Sequence, residues 1–425
     1  MEGSRRAKHA TKDKGILGLA LGMFLVLIIG YVFLFHQWQK GSPDILLRQV
    51  ADRSQPMKED QPVQTARIMA HGDLLYHDIL YMSALQADGT YDFSGNFDYV
   101  KPWFDQADLV IGDFEGTIAP ELPLAGYPLF NAPASVATAI KDAGYDVLDL
   151  AHNHILDSYL SGLISTAKTF NDLGIATVGV YPEGNRATAP ILIKEVNGIK
   201  VAILAYAYGF NGMEANLTPE EQAAYLSDLS LEQMQKEIEA AEELADVTLV
   251  MPQMGVEYSL EPTQEQQELY RQMVTWGADI VLGGHPHVVE PAEVLDKDGE
   301  QKLIIYSMGN FISNQRIETM GETPNAQWTE RGVLMDVTLE KVGDKTTIKR
   351  AKAHPTWVSR VENGGYSPEG FALYDYKTLV LEDFIPGGPH RDQLTPEIQA
   401  RIDTAYEEMN ALVGLNWEAR PAAKP

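Results

Sequence analysis

The chain contains no cysteine, which excludes disulfide bridges and thiolate metal sites together. Any bound metal must therefore be held by His, Asp, Glu or Asn. Positive charge is also scarce: 33 Lys and Arg stand against 60 Asp and Glu, a formal net charge of -27. A field of that sign repels polyanions unless cations intervene, so nucleic acid is not an expected partner. Histidine is rare as well, with 10 in 425 residues. Two of these, His285 and His287, nevertheless lie one residue apart in the stretch VLGGHPHVVEP. Apolar residues are not lacking, and a hydrophobic share of 45% over this length permits a substantial core.

One apolar run stands out for its length. Residues 15–35, GILGLALGMFLVLIIGYVFLF, are uncharged and match the roughly 20 residues a helix needs to cross a bilayer. Arg5, Arg6, Lys8, Lys12 and Lys14 precede the run, against only Glu2 and Asp13. The positive-inside rule then puts residues 1–14 in the cytoplasm and the main domain outside the cell membrane. A cleaved signal peptide is the competing reading, but its apolar region is normally shorter and ends at a small-x-small site. Here HQWQKGSPD comes next, with Trp38 suited to an interfacial anchor. A single-pass membrane anchor is the expectation, with polar, proline-dotted residues 36–64 as linker or stalk.

Residues 65–390 alternate apolar runs with amphipathic stretches, the pattern of an α/β domain. Ala107-Asp108, Tyr145-Asp146, Ala245-Asp246 and Ala278-Asp279 each close a helix-like stretch and open a strand-like run. They read as successive αβ junctions. Ser230 with Gln233 and Thr263 with Gln266 fit capping boxes. Asn197-Gly198 suits a type I′ hairpin turn, and a second hairpin is expected around Val342-Gly343-Asp344, so the sheets should be mixed. Residues 391–425 read as a surface helix from Pro396 to Leu412 with Thr395 as N-cap, then a tail.

The residues just beyond each apolar run carry the chemistry, because ligands in open α/β sheets bind past the carboxyl ends of the strands. In chain order these ends present His71-Gly72-Asp73, Asp113-Phe114-Glu115, His152-Asn153-His154, Gln253 with Glu257, His285-Pro286-His287, and Asn310. A Gly-Asp after a strand is usually a turn, and a lone Asn usually a helix cap. His-x-His in extended chain puts both imidazoles on one face, yet a single pair proves little. Together they form a set of oxygen and imidazole ligands suited to one or two divalent ions, Mn, Mg, Fe or Zn, which can polarise a phosphoryl group and activate water.

In this order GD, GDFEG, HNH, GVEY, GGHPHVVEP and YSMGNFI resemble the bacterial CapA-type proteins of capsule and poly-γ-glutamate synthesis, within the calcineurin-like metallophosphatase superfamily. The likeness runs from about Arg67 to Ser313, with an echo at His354-Pro355-Thr356-Trp357. It implies a four-layered α/β/β/α sandwich with metals at the sheet edge. By the same resemblance Asp73, Glu115 (with Asp113 as the alternative), Asn153, His285 and His287 are implied metal ligands, and His154 is implied as general acid. His152, Gln253, Glu257 and Asn310 belong to the same motifs without an implied role. Two positions depart from the pattern. Leu75 stands where the superfamily has a histidine, with His77 two residues further on, and Gln253 stands where the family has another. A neutral amide is a weaker ligand than imidazole, so one metal position is expected to be weakened or lost.

The resulting expectation is a membrane-anchored, extracellular, divalent-metal-dependent phosphoesterase of capsule or cell-envelope polymer metabolism, acting on the polymer or its precursor. The alternative is a non-catalytic subunit that anchors or organises a polymer synthase or exporter.

Overall fold

The structure, a computed structural model, describes residues 62–419. The expected membrane anchor at 15–35 and most of the linker lie outside the described residues. Among those described, no helix is long and apolar enough to cross a membrane.

The domain opens with four parallel strands, β1 (Val63–Leu74), β2 (Leu109–Phe114), β3 (Val147–Asp149) and β4 (Ala176–Val178). A second sheet comes next in the chain, built from β5 (Leu192–Val196), β6 (Ile199–Ala207), β7 (Val247–Gln253), β8 (Ile280–Leu282), β9 (Ala292–Lys297) and β10 (Glu300–Ile305). Its order is β5-β6-β7-β8-β10-β9, parallel in the middle and antiparallel at both edges. The chain then returns to the first sheet through β11 (Asn310–Ile312), β12 (Arg331–Val342), β13 (Lys345–Tyr366), β14 (Ala372–Val380) and β15 (Asn416–Glu418). β12 pairs antiparallel with β1, and β11 joins the end of β1 in parallel. Both sheets are therefore mixed, as expected.

Side-chain alternation along the second sheet assigns its faces. Val201, Ile203 and Ala205 of β6, Leu249 and Met251 of β7, and Ile280 and Leu282 of β8 belong to the core shared with the first sheet. Their neighbours Ala202, Leu204, Tyr206, Val250 and Val281 point the other way, against Met234, Ile238, Tyr270 and Met273 of the helices Leu231–Leu244 and Gln264–Trp276. On the first sheet, Phe170 of the helix Tyr159–Asp172 meets Phe114 of β2 edge to face at 5.0 Å. The C-terminal helix Pro396–Leu412, capped by Thr395 as expected, buries Ile402 and Ala405 with Trp357 and Leu379 of β13 and β14.

The repeated junction aspartates have one common function. Asp108, Asp146, Asp246 and Asp279 each accept a bond from a backbone N–H on the neighbouring parallel strand, of Arg67, Val110, Lys200 and Thr248 respectively, at 2.8 to 2.9 Å. In every case the aspartate's own N–H donates back to the carbonyl of that same residue. This two-point clasp fixes the register at the start of each parallel pair and satisfies backbone groups where the ladder begins.

Other local expectations divide. Asn197 and Gly198 adopt φ of 51° and 81° between β5 and β6, as a type I′ turn requires. The second hairpin turns at Gly343-Asp344 between β12 and β13. Thr263 and Gln266 form the capping box. Ser230 does not cap its helix with a side-chain bond, and the Gln233 side chain reaches forward to Glu237 at 2.6 Å rather than back to Ser230. A full box at Thr218 and Glu221 was not anticipated.

Candidate metal centre

The carboxyl ends of β1, β2 and β3 carry Asp73, Asp113 and Asp149 in register across three adjacent strands. Glu115 stands one residue past β2, and its N–H bonds to the Leu74 carbonyl at 3.2 Å. From the second sheet, the turn after β8 brings His287 to the same place. Its Nδ1 lies 2.9 Å from Asp73 Oδ2, 3.1 Å from Asn310 Oδ1 and 3.7 Å from Glu115 Oε2. Asp73, Glu115 and His287 each offer a ligand atom within 4.8 Å of the others, and all three are buried.

A close backbone approach dictates the first glycine of the GGHPH turn. A Cβ on Gly283 would sit 2.0 Å from the Tyr306 carbonyl, so this position admits only glycine. The Gly284 Cβ position is faced by Asp113 Oδ2 and Asp73 Oδ1, each 3.6 Å away. His285 and His287 are not on a strand, as the His-x-His spacing implied. They lie in the turn beyond β8, with φ of 96° and 58°. Positive φ in non-glycine residues costs of order 1–3 kcal/mol each, and such strain is typical of sites that must aim a side chain.

Burial and mutual repulsion govern the ionisation of the cluster. Burial lifts Glu115 to about 7, with His287 opposing and Asp73 adding to the rise. Asp113 and Asp149 are held well above the usual carboxylate range by burial, with neighbouring carboxylates adding to it. Burial alone would lower His287, but Glu115 and Asp73 overcome it and push the imidazole up to about 10. Asp73 Oδ1, Asp113 Oδ1, both Glu115 oxygens and His285 Nδ1 are buried without a hydrogen-bond partner among the described residues. Buried, unpaired acceptors concentrated at one point fit a divalent cation, since leaving them unmet is costly.

The remaining expected residues take other positions. His285 packs on Tyr208 with ring centroids 4.5 Å apart, and its ring centre is 6.2 Å from that of His287, outside the three-residue cluster. Asn153 is engaged by Gln253. The Gln253 Oε1 accepts the Asn153 backbone N–H at 2.8 Å, which fixes the amide's orientation, and its Nε2 then donates to Asn153 Oδ1 at 3.1 Å. The Asn153 oxygen implied as a metal ligand thus already accepts a bond. Asn310 acts beside the centre, accepting from His287 and donating from Nδ2 to Gln315 and the Thr329 carbonyl. Glu257 is exposed at the rim of the adjoining cavity.

His154 lines that cavity, and its Nδ1 lies 2.7 Å from Asp157 Oδ2. Asp157 in turn accepts the Phe130 N–H at 2.6 Å. This carboxylate was not singled out from the sequence, although its i,i+3 spacing from a loop histidine is a recognisable signal. Asp149 was also missed, because it reads as the polar end of an ordinary strand. His71 is sealed beneath the centre, stacked on Phe311 at 3.5 Å and lowered to about 3 by burial. His152 is likewise buried and held well below its ordinary value by burial, with His154 adding to the effect. His354 sits between Asp336 and Glu382 on the antiparallel part of the first sheet.

Residues 67–315 match the family model described as "Bacterial capsule synthesis protein PGA_cap". The capsule biosynthesis protein CapA of Bacillus anthracis is 32% identical over 228 residues, covering 52% of this chain and 54% of that protein. The PGA biosynthesis protein CapA of Bacillus subtilis (strain 168) is 30% identical over 231 residues, covering 52% and 57%. The chain thus spans about half the length of the curated relatives it matches. Among solved structures, a putative 5'-nucleotidase from Staphylococcus aureus overlaps at a TM-score of 0.40 and 12% identity, over 81% of this chain and 58% of that one. The calcineurin-like phosphoesterase YfkN from Bacillus subtilis overlaps at 0.38 and 16%, over 69% and 91%.

Proposed function

The chain belongs to the bacterial capsule synthesis family PGA_cap, and from that premise we propose that it is a divalent-metal-dependent phosphoesterase acting on a capsule or cell-envelope polymer or its precursor. The observation that carries this reading is the buried cluster of Asp73, Glu115 and His287 with its unpartnered carboxylate oxygens. Those three residues would hold the ion, with Asp113 beside them. When bound, a divalent ion at this point supplies charge neutralisation for a phosphoryl group and activation of water. Asp157 fixes the His154 ring through Nδ1 and leaves Nε2 as the nitrogen free to give a proton to the departing oxygen. In this proposal the domain works outside the membrane, anchored by residues 15–35, beside synthase or exporter subunits.

One observation favours a second reading. Gln253 occupies the Asn153 side-chain oxygen, which supports a single-ion centre or a subunit that organises a synthase without catalysing hydrolysis. Metal analysis of the purified full chain, with a screen of phosphomonoesters and phosphodiesters, separates the two. The phosphoesterase reading expects bound divalent metal, and hydrolysis that falls by more than about a hundredfold in Asp73→Ala and His287→Ala. Metal-free protein, or hydrolysis unchanged by both substitutions, overturns it.

A further inference from the structure

A cavity of ≈390 Å³ opens directly onto the acidic centre, bounded by Tyr127, Phe130, His154, Glu257, Tyr258 and Asn314 among others. Its volume is at the small end of the range that holds a compact ligand. Two larger cavities, ≈700 and ≈600 Å³, meet around Arg186 and include none of the centre's residues. The cavity at the centre is therefore the one in which the group attached to a bound phosphate would rest.

Its lining has an unusual charge balance. Among the described residues, neither Lys nor Arg lines it, and the one carboxylate is Glu257. The nearby arginines are turned away. The guanidinium of Arg316 is buried against Glu318, Glu330 and the Trp357 ring. Arg360 lies over Tyr374 and reaches Asn314 Oδ1 at 3.2 Å. Beyond His287, which belongs to the centre itself, a chain of carboxylates extending through this space would meet Glu257 and a molecule of net charge -27 with no Lys or Arg to receive it.

What the lining does offer is aromatic surface with donors and acceptors interleaved. The Phe130 ring meets His154 edge to face at 4.8 Å and His77 at 5.2 Å, and Tyr127 lies 6.4 Å from it. Tyr127 is 79% exposed, so most of its ring is free for a ligand. Tyr258 stacks on His287 at 6.2 Å, joining this wall to the centre. The Asn314 oxygen is taken by Tyr376 and Arg360, which directs its NH₂ as a donor without a partner among the described residues. Glu257 is the complementary acceptor. Aromatic faces meet C–H surfaces, while paired donors and acceptors suit hydroxyl groups, each of which both gives and takes a hydrogen bond.

We infer that the cavity selects an uncharged, hydroxyl-rich ring next to the phosphate, of the glycosyl class, and discriminates against a polyanion such as a run of glutamates. This rests on the reading that the acidic centre binds a phosphate through a divalent ion. An ammonium group would also suit the aromatic rings and Glu257, but it would leave the Asn314 donor without use.

Calorimetric binding to the full chain with Mn²⁺ tests the inference with glucose 1-phosphate, glucose, phosphocholine, tri-γ-glutamate and inorganic phosphate. Glucose 1-phosphate is expected to bind more tightly than inorganic phosphate or phosphocholine, and tri-γ-glutamate not measurably. Tyr127→Ala should weaken glucose 1-phosphate by about three- to tenfold, while Phe371→Ala, an exposed ring in the turn between β13 and β14 that does not line the cavity, should not. Glu257→Lys should allow tri-γ-glutamate to bind. Equal or tighter binding of phosphocholine or tri-γ-glutamate to the unaltered chain overturns the inference, as does indifference to Tyr127→Ala. Failure of inorganic phosphate to bind overturns the phosphate reading instead. In that case Tyr127-dependent binding of glucose still supports the cavity's assignment, and its absence removes it.

Discussion

His287 is pushed up to about 10 by Glu115 and Asp73, against the opposing effect of burial, so its ring carries a proton at neutral pH. A divalent ion taking its Nδ1 must displace that proton, and below about pH 7 must also displace one from Glu115. Raising the pH lowers the proton's competition, so Mn²⁺ affinity is expected to rise by about tenfold per unit between roughly pH 7 and 9, and more steeply below pH 7, where Glu115 also gives up a proton. Calorimetry in buffers of different ionisation enthalpy should register the released proton. A flat profile would show that His287 is not a ligand. Asp73, Glu115 and His287 were legible in the sequence as candidates because each stands at or just past the end of an apolar run in a recognisable motif. The bond between Gln253 and Asn153 was not, since it joins residues 100 positions apart and depends on which way two amides face. Asp157 lay three residues from a histidine already singled out, but only the fold shows that it holds Nδ1.

At the scale of the element, the junction aspartates are the features whose purpose the sequence concealed. Their recurrence before strand-like runs was visible, yet a clasp to the preceding strand requires knowing which strands are neighbours. Asp146 accepts the Val110 N–H at 2.9 Å, and its own N–H returns a bond to the Val110 carbonyl. Replacing it with alanine removes a charge-assisted bond and leaves a backbone donor unmet. Asp146→Ala is therefore expected to destabilise the domain by about 1–3 kcal/mol, read from the denaturant midpoint at constant slope. A change below about 0.5 kcal/mol would show the clasp to be dispensable. Local signals behaved unevenly for a related reason. Thr263 and Asn197-Gly198 act through neighbours a few residues away and were readable, whereas Gln233 was drawn off by Glu237, which also binds Arg186 and the Tyr206 hydroxyl.

For the whole molecule, the alternation of strands and helices made the α/β class legible, while the partition into two sheets did not emerge from it. Nothing local marks β5 as the start of a second sheet, or β12 as the partner of β1. The charge balance has its own consequence at this scale. With a net charge of -27 the folded chain repels itself, and screening relieves that repulsion. Thermal stability in metal-free buffer is expected to rise from millimolar salt to about 0.15 M NaCl. An unchanged or lower Tm would mean that the acidic side chains are already compensated by local ion pairs. The position of β1 bears on a different matter, the timing of assembly. It is the first described strand, yet it borders β12 along most of its length and meets β11 at Asp73 and Asn310. Asp73 and His287 are themselves 214 positions apart. A chain emerging from the ribosome holds Asp73 and Glu115 long before His287 and Asn310 exist, and loop closure of that span is slow. The candidate ligand set is thus completed only late in synthesis, once His287 and Asn310 have been made and folded back onto the end of β1.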